Sequence, residues 1–206
     1  MRLWLSTCLD NFSSEFDDIE EMFKRGLSRL ILQKRNSTEG EYERWLLSLP
    51  MELRDRIWVR GTPDMAERLD VRGCVCDAKM LLRDVPERWK RTDCVALCRT
   101  PEELCNLPDW VSAALLGPVY QPQSVLDTVE TLGAHSLSRI FENANENPPR
   151  VIAFGGIDHE NLDEIKKLPL LGISVLGGIW NYADPVSAFL KLSRACSGLG
   201  GDSGIR

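Results

Sequence analysis

The chain has 206 residues, 43% hydrophobic and 27% charged, which is the composition of an ordinary globular domain. The formal net charge is −6 and no basic stripe stands out, which argues against a nucleic-acid-binding protein. No apolar run approaches the ~20 residues of a membrane span. The apolar stretch before Cys8 is also shorter than the ~7–15 residues of a signal-peptide core, so we expect a cytoplasmic protein.

Strand-like and helix-like segments alternate along the chain. Strands are predicted at residues 3–6, 28–33, 56–59, 73–76, 94–97, 110–116, 151–154 and 172–176. Helices are predicted at 16–25, 37–49, 62–69, from 100 onward, at 137–144, 161–167 and 185–195, and residues 79–85 form a weak element of no assigned type. This alternation predicts an α/β fold with a parallel sheet, and eight strands in so short a chain favour a single (β/α)8 TIM barrel over an open doubly wound sheet. We assign the barrel to residues 1–196 and a flexible, Gly-rich tail to 197–206.

The 7 cysteines are an odd number in a chain without a secretory signal, which argues against a disulfide framework. Cys74 and Cys76 are too close in sequence for the usual C-x2-C zinc motif, and Cys94 and Cys98 have no histidine nearby. We therefore expect buried free thiols.

Two glycine pairs end the seventh and eighth predicted strands, Gly155-Gly156 and Gly177-Gly178. The active site of an eight-fold barrel lies at the carboxyl ends of its strands, and the loops after strands seven and eight often hold a phosphate. Glycine permits sharp turns and brings backbone N–H groups close to an anion. Tight turns alone would also explain one pair, but two pairs at matching strand ends predict a phosphate site.

The segment 151–189, VIAFGGIDHENLDEIKKLPLLGISVLGGIWNYADPVSAF, resembles the end of the thiamine phosphate synthase/TenI superfamily, in particular a short, divergent branch from Bacteroides-like bacteria. Weaker similarity is carried by LGPVY at 116–120, CVALCRTPEEL at 94–104, RIWVRGTPDMA at 56–66 and LILQKRNST at 30–38. The outline covers nearly the whole chain, and the final strand pair is its most specific part.

The resemblance implies a TIM barrel and a role in thiamine biosynthesis. Synthases of this family join a hydroxymethylpyrimidine diphosphate to a thiazole phosphate and release pyrophosphate with the help of Mg²⁺. TenI-type relatives instead isomerise a thiazole phosphate without a metal. The implied ligand is a small phosphorylated heterocycle. Nucleic-acid and membrane partners are not expected, and a homodimer is left open.

The resemblance also implies site residues. The two glycine pairs match the loops that hold the thiazole phosphate. Lys34 and Arg35 fall at the basic pair that grips pyrophosphate, with a solvated strand end as the alternative. A second metal-binding Asp of the family follows strand four, and Asp77, near that position, is the candidate Mg²⁺ ligand. The first metal-binding Asp is missing, because Arg60 and Gly61 stand where synthases carry Asn-Asp.

Two further positions depart from the family pattern. The loop at 121–124, QPQS, lacks the lysine that contacts pyrophosphate in synthases. Pro118 occupies the position of the TenI catalytic histidine. We therefore expect the phosphate half of the site to be retained and the pyrophosphate and metal half to be eroded. A non-catalytic barrel that binds a phosphorylated ligand is the third hypothesis, beside synthase and isomerase.

Other polar and aromatic residues have more than one interpretation. Asp158 is expected to cap a helix, and His159 to be an exposed first-turn side chain rather than a phosphate ligand. Trp180 and Tyr182 would either wall the pocket or pack the last helix. The acidic cluster of Glu15, Asp17 and Asp18 after the first strand is expected to be a solvated helix start, with a metal site as the alternative.

Overall fold

The computed structural model describes residues 1–123, 128–142 and 149–198, and in it eight parallel strands close into a barrel in chain order. The strands are β1 (Arg2–Ser6), β2 (Leu30–Leu32), β3 (Ile57–Arg60), β4 (Gly73–Asp77), β5 (Asp93–Cys98), β6 (Ala113–Leu116), β7 (Val151–Phe154) and β8 (Gly172–Val175). Closure is made by β1 against β8, where Leu3 pairs with Ile173 and Leu5 with Val175. The predicted TIM barrel is confirmed, and the open sheet is excluded.

Helices follow the strands and cover the outside of the barrel. They are α1 (Glu15–Lys24), α2 (Glu39–Leu47), α3 (Pro63–Arg68), α4 (Ala78–Leu81), α5 (Pro101–Cys105), α6 (Gly133–Glu142), α7 (Leu162–Ile165), α8 (Gly177–Trp180) and α9 (Pro185–Cys196), with 3-10 turns at Met51–Arg56 and Glu87–Arg91. Across the described ranges, none of these helices has the length and apolar character needed to cross a bilayer. Residues 199–206 of the predicted tail lie outside the described residues.

The predicted helices are present, with α2, α3 and α7 shorter than predicted, the weak element at 79–85 contains the end of helix α4, and α8 was not predicted. The short helix α8 begins at Gly177-Gly178, and glycine is among the poorest helix formers, so no sequence pattern indicated it. Local capping explains several of the observed helix starts. The side chain of Thr62 accepts a hydrogen bond from the Met65 N–H at the start of α3, and that of Asp184 accepts one from the Ser187 N–H at the start of α9.

Two indole rings fill the amino-terminal end of the barrel interior. The ring centroids of Trp4 and Trp58 are 4.7 Å apart, and the Arg29 guanidinium lies 5.2 Å from the centroid of the Trp4 ring. Gly73 makes room for them, because a Cβ there would lie 2.9 Å from the Trp58 Nε1. The barrel is therefore packed at its amino-terminal end, and open space remains at its carboxyl end.

The cysteines are free thiols, as predicted. Cys74, Cys76, Cys94, Cys98 and Cys196 are buried, Cys8 is half-buried and Cys105 is exposed. Burial, as the main cause, raises the pKa of Cys76 and of Cys98 to about 12. Thiolate is the reactive form of cysteine, so these buried thiols should react very slowly.

We therefore expect Cys105 to be the fast-reacting thiol of the native chain. Near pH ~8, a thiol reagent that yields a chromophore should modify about one cysteine rapidly and the others on the timescale of unfolding. Replacing Cys105 with serine should remove the rapid phase and leave the slow one. Rapid modification of several thiols before unfolding would contradict the burial described above.

Candidate functional site

A cavity of about 630 Å³ opens at the carboxyl ends of the strands, and all eight strands contribute to its wall. Its floor is made by apolar side chains that point into the barrel, namely Ile31, Val75, Leu97, Leu115 and Phe154. Polar groups surround this floor, including a hydrogen-bonded pair of hydroxyls, Ser6 and Ser174, whose oxygens are 3.1 Å apart. An apolar floor with convergent polar groups is typical of a small-molecule site.

The two predicted glycine pairs lie together on the wall of this cavity. Gly155 and Gly156 have φ angles of 92° and 63°, in the left-handed region where glycine is favoured. A Cβ at Gly156 would lie 2.5 Å from the Gln121 carbonyl oxygen, and one at Gly155 would overlap Pro118. These positions therefore require glycine, both for backbone conformation and for the close approach of the loop after β6.

The second pair stands at the start of α8. A Cβ at Gly178 would overlap the carbonyl oxygen of Ile157, so the loops after β7 and β8 are in direct backbone contact. Within the described part of the chain, the N–H groups of all four glycines donate no hydrogen bond to a protein acceptor. Unpaired N–H groups of residues that line a cavity suit a bound anion.

Gln123 connects the loop after β6 to both glycine loops. Its amide nitrogen lies 3.3 Å from the Asp158 Oδ2, and its amide oxygen accepts a hydrogen bond of 2.9 Å from Asn181. Asp158 also accepts hydrogen bonds from the N–H groups of Glu160, at 2.8 Å, and Asn161. Asp158 therefore closes the turn before α7, whose N-cap position is occupied by Asn161, so the helix-capping role predicted for Asp158 is not observed. Gln123 was not recognised from the sequence because it follows no regular element.

The aromatic residues after β8 support the site from outside the described cavity wall. The Trp180 Nε1 donates to the Ser6 carbonyl oxygen at 2.8 Å, and its ring packs edge-on against Phe12. The Tyr182 hydroxyl lies 3.0 Å from the His159 Nδ1. Of the two interpretations offered for Trp180, packing against the barrel is the one observed.

Lys34 forms a buried ion pair with Glu15. The Lys34 Nζ lies 2.6 Å from the Glu15 Oε2, and the two side chains are 4% and 0% exposed. The Trp45 Nε1 donates to the same carboxylate at 3.2 Å. The solvated helix start expected at Glu15 is therefore wrong, because the first turn of α1 is turned toward the end of β2 and Glu15 neutralises a buried lysine there.

The remaining predicted residues lie away from the described cavity wall. The exposed Arg35 has its Nε 3.5 Å from the Asp10 carboxylate, and Asp77 caps α4 by accepting a hydrogen bond of 3.1 Å from the Lys79 N–H. The pyrophosphate role of Lys34 and Arg35 stays a prediction, and so does the metal role of Asp77.

The donor set around the cavity does not fit Mg²⁺. This ion takes oxygen ligands and is usually held through one or two carboxylates together with substrate phosphates. Glu130 is the one carboxylate among the described residues of the cavity wall, and the described ranges hold no group of three or more potential metal-binding side chains. At the end of β3, where the family carries its Asn-Asp, the cavity wall instead presents the Arg60 guanidinium.

Two arginines of the cavity wall were not assigned a role from the sequence. Arg60 is partly buried, and its guanidinium donates to the Val75 carbonyl oxygen at 3.2 Å. Arg99, which follows β5, is exposed at the cavity mouth. Their positions at the ends of β3 and β5 are the sequence signal for such a role, because ligands of a barrel bind at the carboxyl ends of its strands.

Comparison with known proteins agrees with this architecture. No protein-family model matches the chain. A thiamine-phosphate synthase of Limosilactobacillus reuteri (strain DSM 20016) is 30% identical over 97 residues, which make up 46% of this chain and 44% of that enzyme. The chain thus aligns with less than half the length of this curated relative.

Two solved structures share the barrel over nearly the whole chain. The thiamine phosphate pyrophosphorylase from Bacteroides thetaiotaomicron has a TM-score of 0.74 and 24% identity, covering 98% of this chain and 100% of that one. The enzyme of that name from Pyrococcus furiosus has a TM-score of 0.76 and 20% identity, covering 97% of each. At these identities the structures establish the fold. The sequence match and these two structures agree with the resemblance to the thiamine phosphate synthase/TenI superfamily that the two glycine-ended strands carry.

Proposed function

We propose that the chain is a thiamine phosphate synthase-type transferase that joins a hydroxymethylpyrimidine diphosphate to a thiazole phosphate. The observation that carries the proposal is the meeting of both glycine pairs at one cavity, with their N–H groups free of described protein acceptors. These N–H groups would hold the thiazole phosphate, and the apolar floor would pack against the rings.

In the proposed reaction the bond between the pyrimidine methylene carbon and the diphosphate oxygen breaks. Pyrophosphate leaves with the electron pair, and the lone pair of the thiazole nitrogen forms the new carbon–nitrogen bond. The chain's part is to bind the anionic groups, to hold the rings in contact and to exclude water from the methylene cation. The Ile31, Leu97 and Phe154 side chains of the floor offer that cation no nucleophile.

Two observations bear on the alternatives. No histidine lies on the described cavity wall, and Pro118 stands at the position of the TenI catalytic histidine, which disfavours the isomerase. The poor fit of the cavity wall to Mg²⁺ favours, as a second candidate, a barrel that binds a phosphorylated heterocycle without turnover.

The test is a synthase assay with both substrates, with excess Mg²⁺ and with a chelator. Thiamine phosphate formation under either condition supports the proposal, and the comparison of the two shows whether turnover depends on Mg²⁺. Absence of product under both conditions rejects the synthase. Thermal stabilisation by thiazole phosphate in that case assigns the chain to the binding barrel. An unchanged thiazole tautomer spectrum excludes the isomerase.

A further inference from the structure

The wall of the cavity opposite the glycine loops carries an unneutralised positive charge. In a closed eight-stranded barrel, β3 lies across the mouth from β7, and Arg60 ends β3 whereas Gly155-Gly156 follow β7. Arg99 follows β5, two strands from β3. The two arginines thus flank the end of β4 and face a cavity whose other side is the glycine loops.

Neither guanidinium has a carboxylate partner in the described ranges. No described acid lies within ion-pair distance of Arg60 or Arg99, and the hydrogen bond of Arg60 to the Val75 carbonyl oxygen occupies one of its five N–H groups. By contrast, the buried ammonium of Lys34, after β2, is paired with the Glu15 carboxylate. The charge of the arginine pair is therefore available to a ligand.

The environment of Arg60 is unfavourable for a lone cation. Burial is the main cause that lowers the pKa of Arg60, and the nearby positive charge of Arg99 lowers it further. The Asp77 carboxylate raises the pKa of Arg60 and so opposes both effects. The Asp77 carboxylate is held by the Lys79 N–H as the cap of α4. A partly desolvated guanidinium beside a second one is the arrangement that a bidentate oxyanion relieves.

We propose that Arg60 and Arg99 form a second anion subsite that binds a diphosphate group directly, without a divalent cation. The ligand class is an inorganic or organic diphosphate whose apolar part lies on the cavity floor. Within the proposed function, on which this assignment rests for its substrate, the subsite holds the leaving pyrophosphate. The Arg60 guanidinium stands next to Gly61, the position where the family places its metal-binding acid. Arginine is suited to this because its planar fork matches two phosphate oxygens at once.

The experiment is a calorimetric titration of the full chain with inorganic pyrophosphate, first in a chelator and then in excess Mg²⁺. We expect binding in the chelator and no tightening in Mg²⁺. Replacing Arg60 with glutamine should weaken binding at least about tenfold, as expected when a charged hydrogen bond to phosphate is lost. Replacing Arg99 with glutamine should weaken it severalfold, and the double variant should show no binding.

The control variant is R83Q, which removes an exposed arginine outside the described cavity wall and should leave the affinity unchanged. Thermal unfolding of the free variants separates binding from folding. Because R60Q removes a repelled, partly desolvated charge, it should unfold at the same or a higher temperature than the parent chain. If R60Q does not fold, R99Q, an exposed substitution, still tests the subsite.

Pyrophosphate binding that requires Mg²⁺ would overturn the proposal. So would binding that survives in R60Q and R99Q but is lost in R35Q, which would place the diphosphate at the end of β2, or in G177D, which would place it at the glycine loops. These outcomes are independent of turnover. A chain that binds pyrophosphate through the arginines yet makes no thiamine phosphate would refute the proposed function and retain the subsite.

Discussion

Replacing Glu15 with alanine should destabilise the native chain by about 3–5 kcal/mol, the usual effect of removing one partner of a buried ion pair. The Lys34 ammonium and the Trp45 Nε1 both donate to this carboxylate, and all three side chains are buried. Alanine leaves the ammonium and the indole N–H unpartnered and opens a cavity at the contact of α1 with β2. Glutamine should have a smaller effect because it keeps an acceptor.

Urea unfolding of the two Glu15 variants measures this difference. The matched control is Glu20→Ala in the same helix, where the exposed pair with Lys24 has an N–O distance of 3.9 Å and should contribute less than about 0.5 kcal/mol. A double variant, E15L with K34M, should recover most of the lost stability, because apolar replacement of a whole buried pair is often neutral. Equal unfolding midpoints for E15A and E20A would refute the buried pair.

The double variant also tests the pyrophosphate role predicted for Lys34. With both charges removed, the fold is retained but the ammonium is gone. Unchanged pyrophosphate affinity would show that Lys34 is a structural cation. A loss of pyrophosphate affinity equal to that of R60Q would show that Lys34 takes part in binding pyrophosphate.

Replacing Gly177 with aspartate should weaken binding of a thiazole phosphate by about 100-fold. Like charges about 5 Å apart repel by about 3 kcal/mol at an effective dielectric constant of 20. The fold should tolerate this change, because Gly177 has no left-handed φ and a Cβ there would meet the Asn181 Nδ2 at 3.1 Å, the end of a flexible side chain. An acidic residue in the first turn of α8 is also favourable for the helix.

Titration with thiazole phosphate checks this prediction, and Gly40→Asp is the control. Gly40 lies in the first turn of α2 with no atom within 4 Å of its added Cβ, so that variant should bind like the parent chain. Gly156→Asp should also abolish binding, but it adds backbone strain and overlap with the loop after β6, so its loss is less specific. Undiminished affinity in G177D with a normal unfolding midpoint would refute the glycine-loop site.

Local patterns were sufficient for much of this architecture. Alternation of short apolar runs with amphipathic segments predicted the barrel, and the rule that ligands bind at the carboxyl ends of its strands placed both glycine pairs at one cavity. The glycine pairs were a strong signal because other residues do not fit their positions. Gly156 has a positive φ, and a Cβ at Gly178 would overlap the neighbouring backbone.

The parts that were missed depend on long-range contacts. Glu15 has the sequence context of an exposed first-turn acid, and its partner lies at the end of the next strand, 19 residues away. Lys34 therefore looked available for a ligand. Arg60 and Arg99 are 39 positions apart, and only the closed barrel places both on one cavity wall. Charge neutralisation is a property of the folded surroundings, and sequence spacing does not reveal it.

The seam of the barrel has a consequence for how this chain reaches its native state. Strands β1 and β8 are the first and last of the barrel in sequence. Their pairing closes a loop that contains the other six strands, which is the entropically most demanding strand pairing of the barrel. The ligand cavity crosses this seam, with Ser6 on one side and Ser174 and Gly177 on the other. A bound phosphorylated ligand would therefore contact both β1 and β8. These contacts would slow the separation of the two strands, and with it the opening of the barrel.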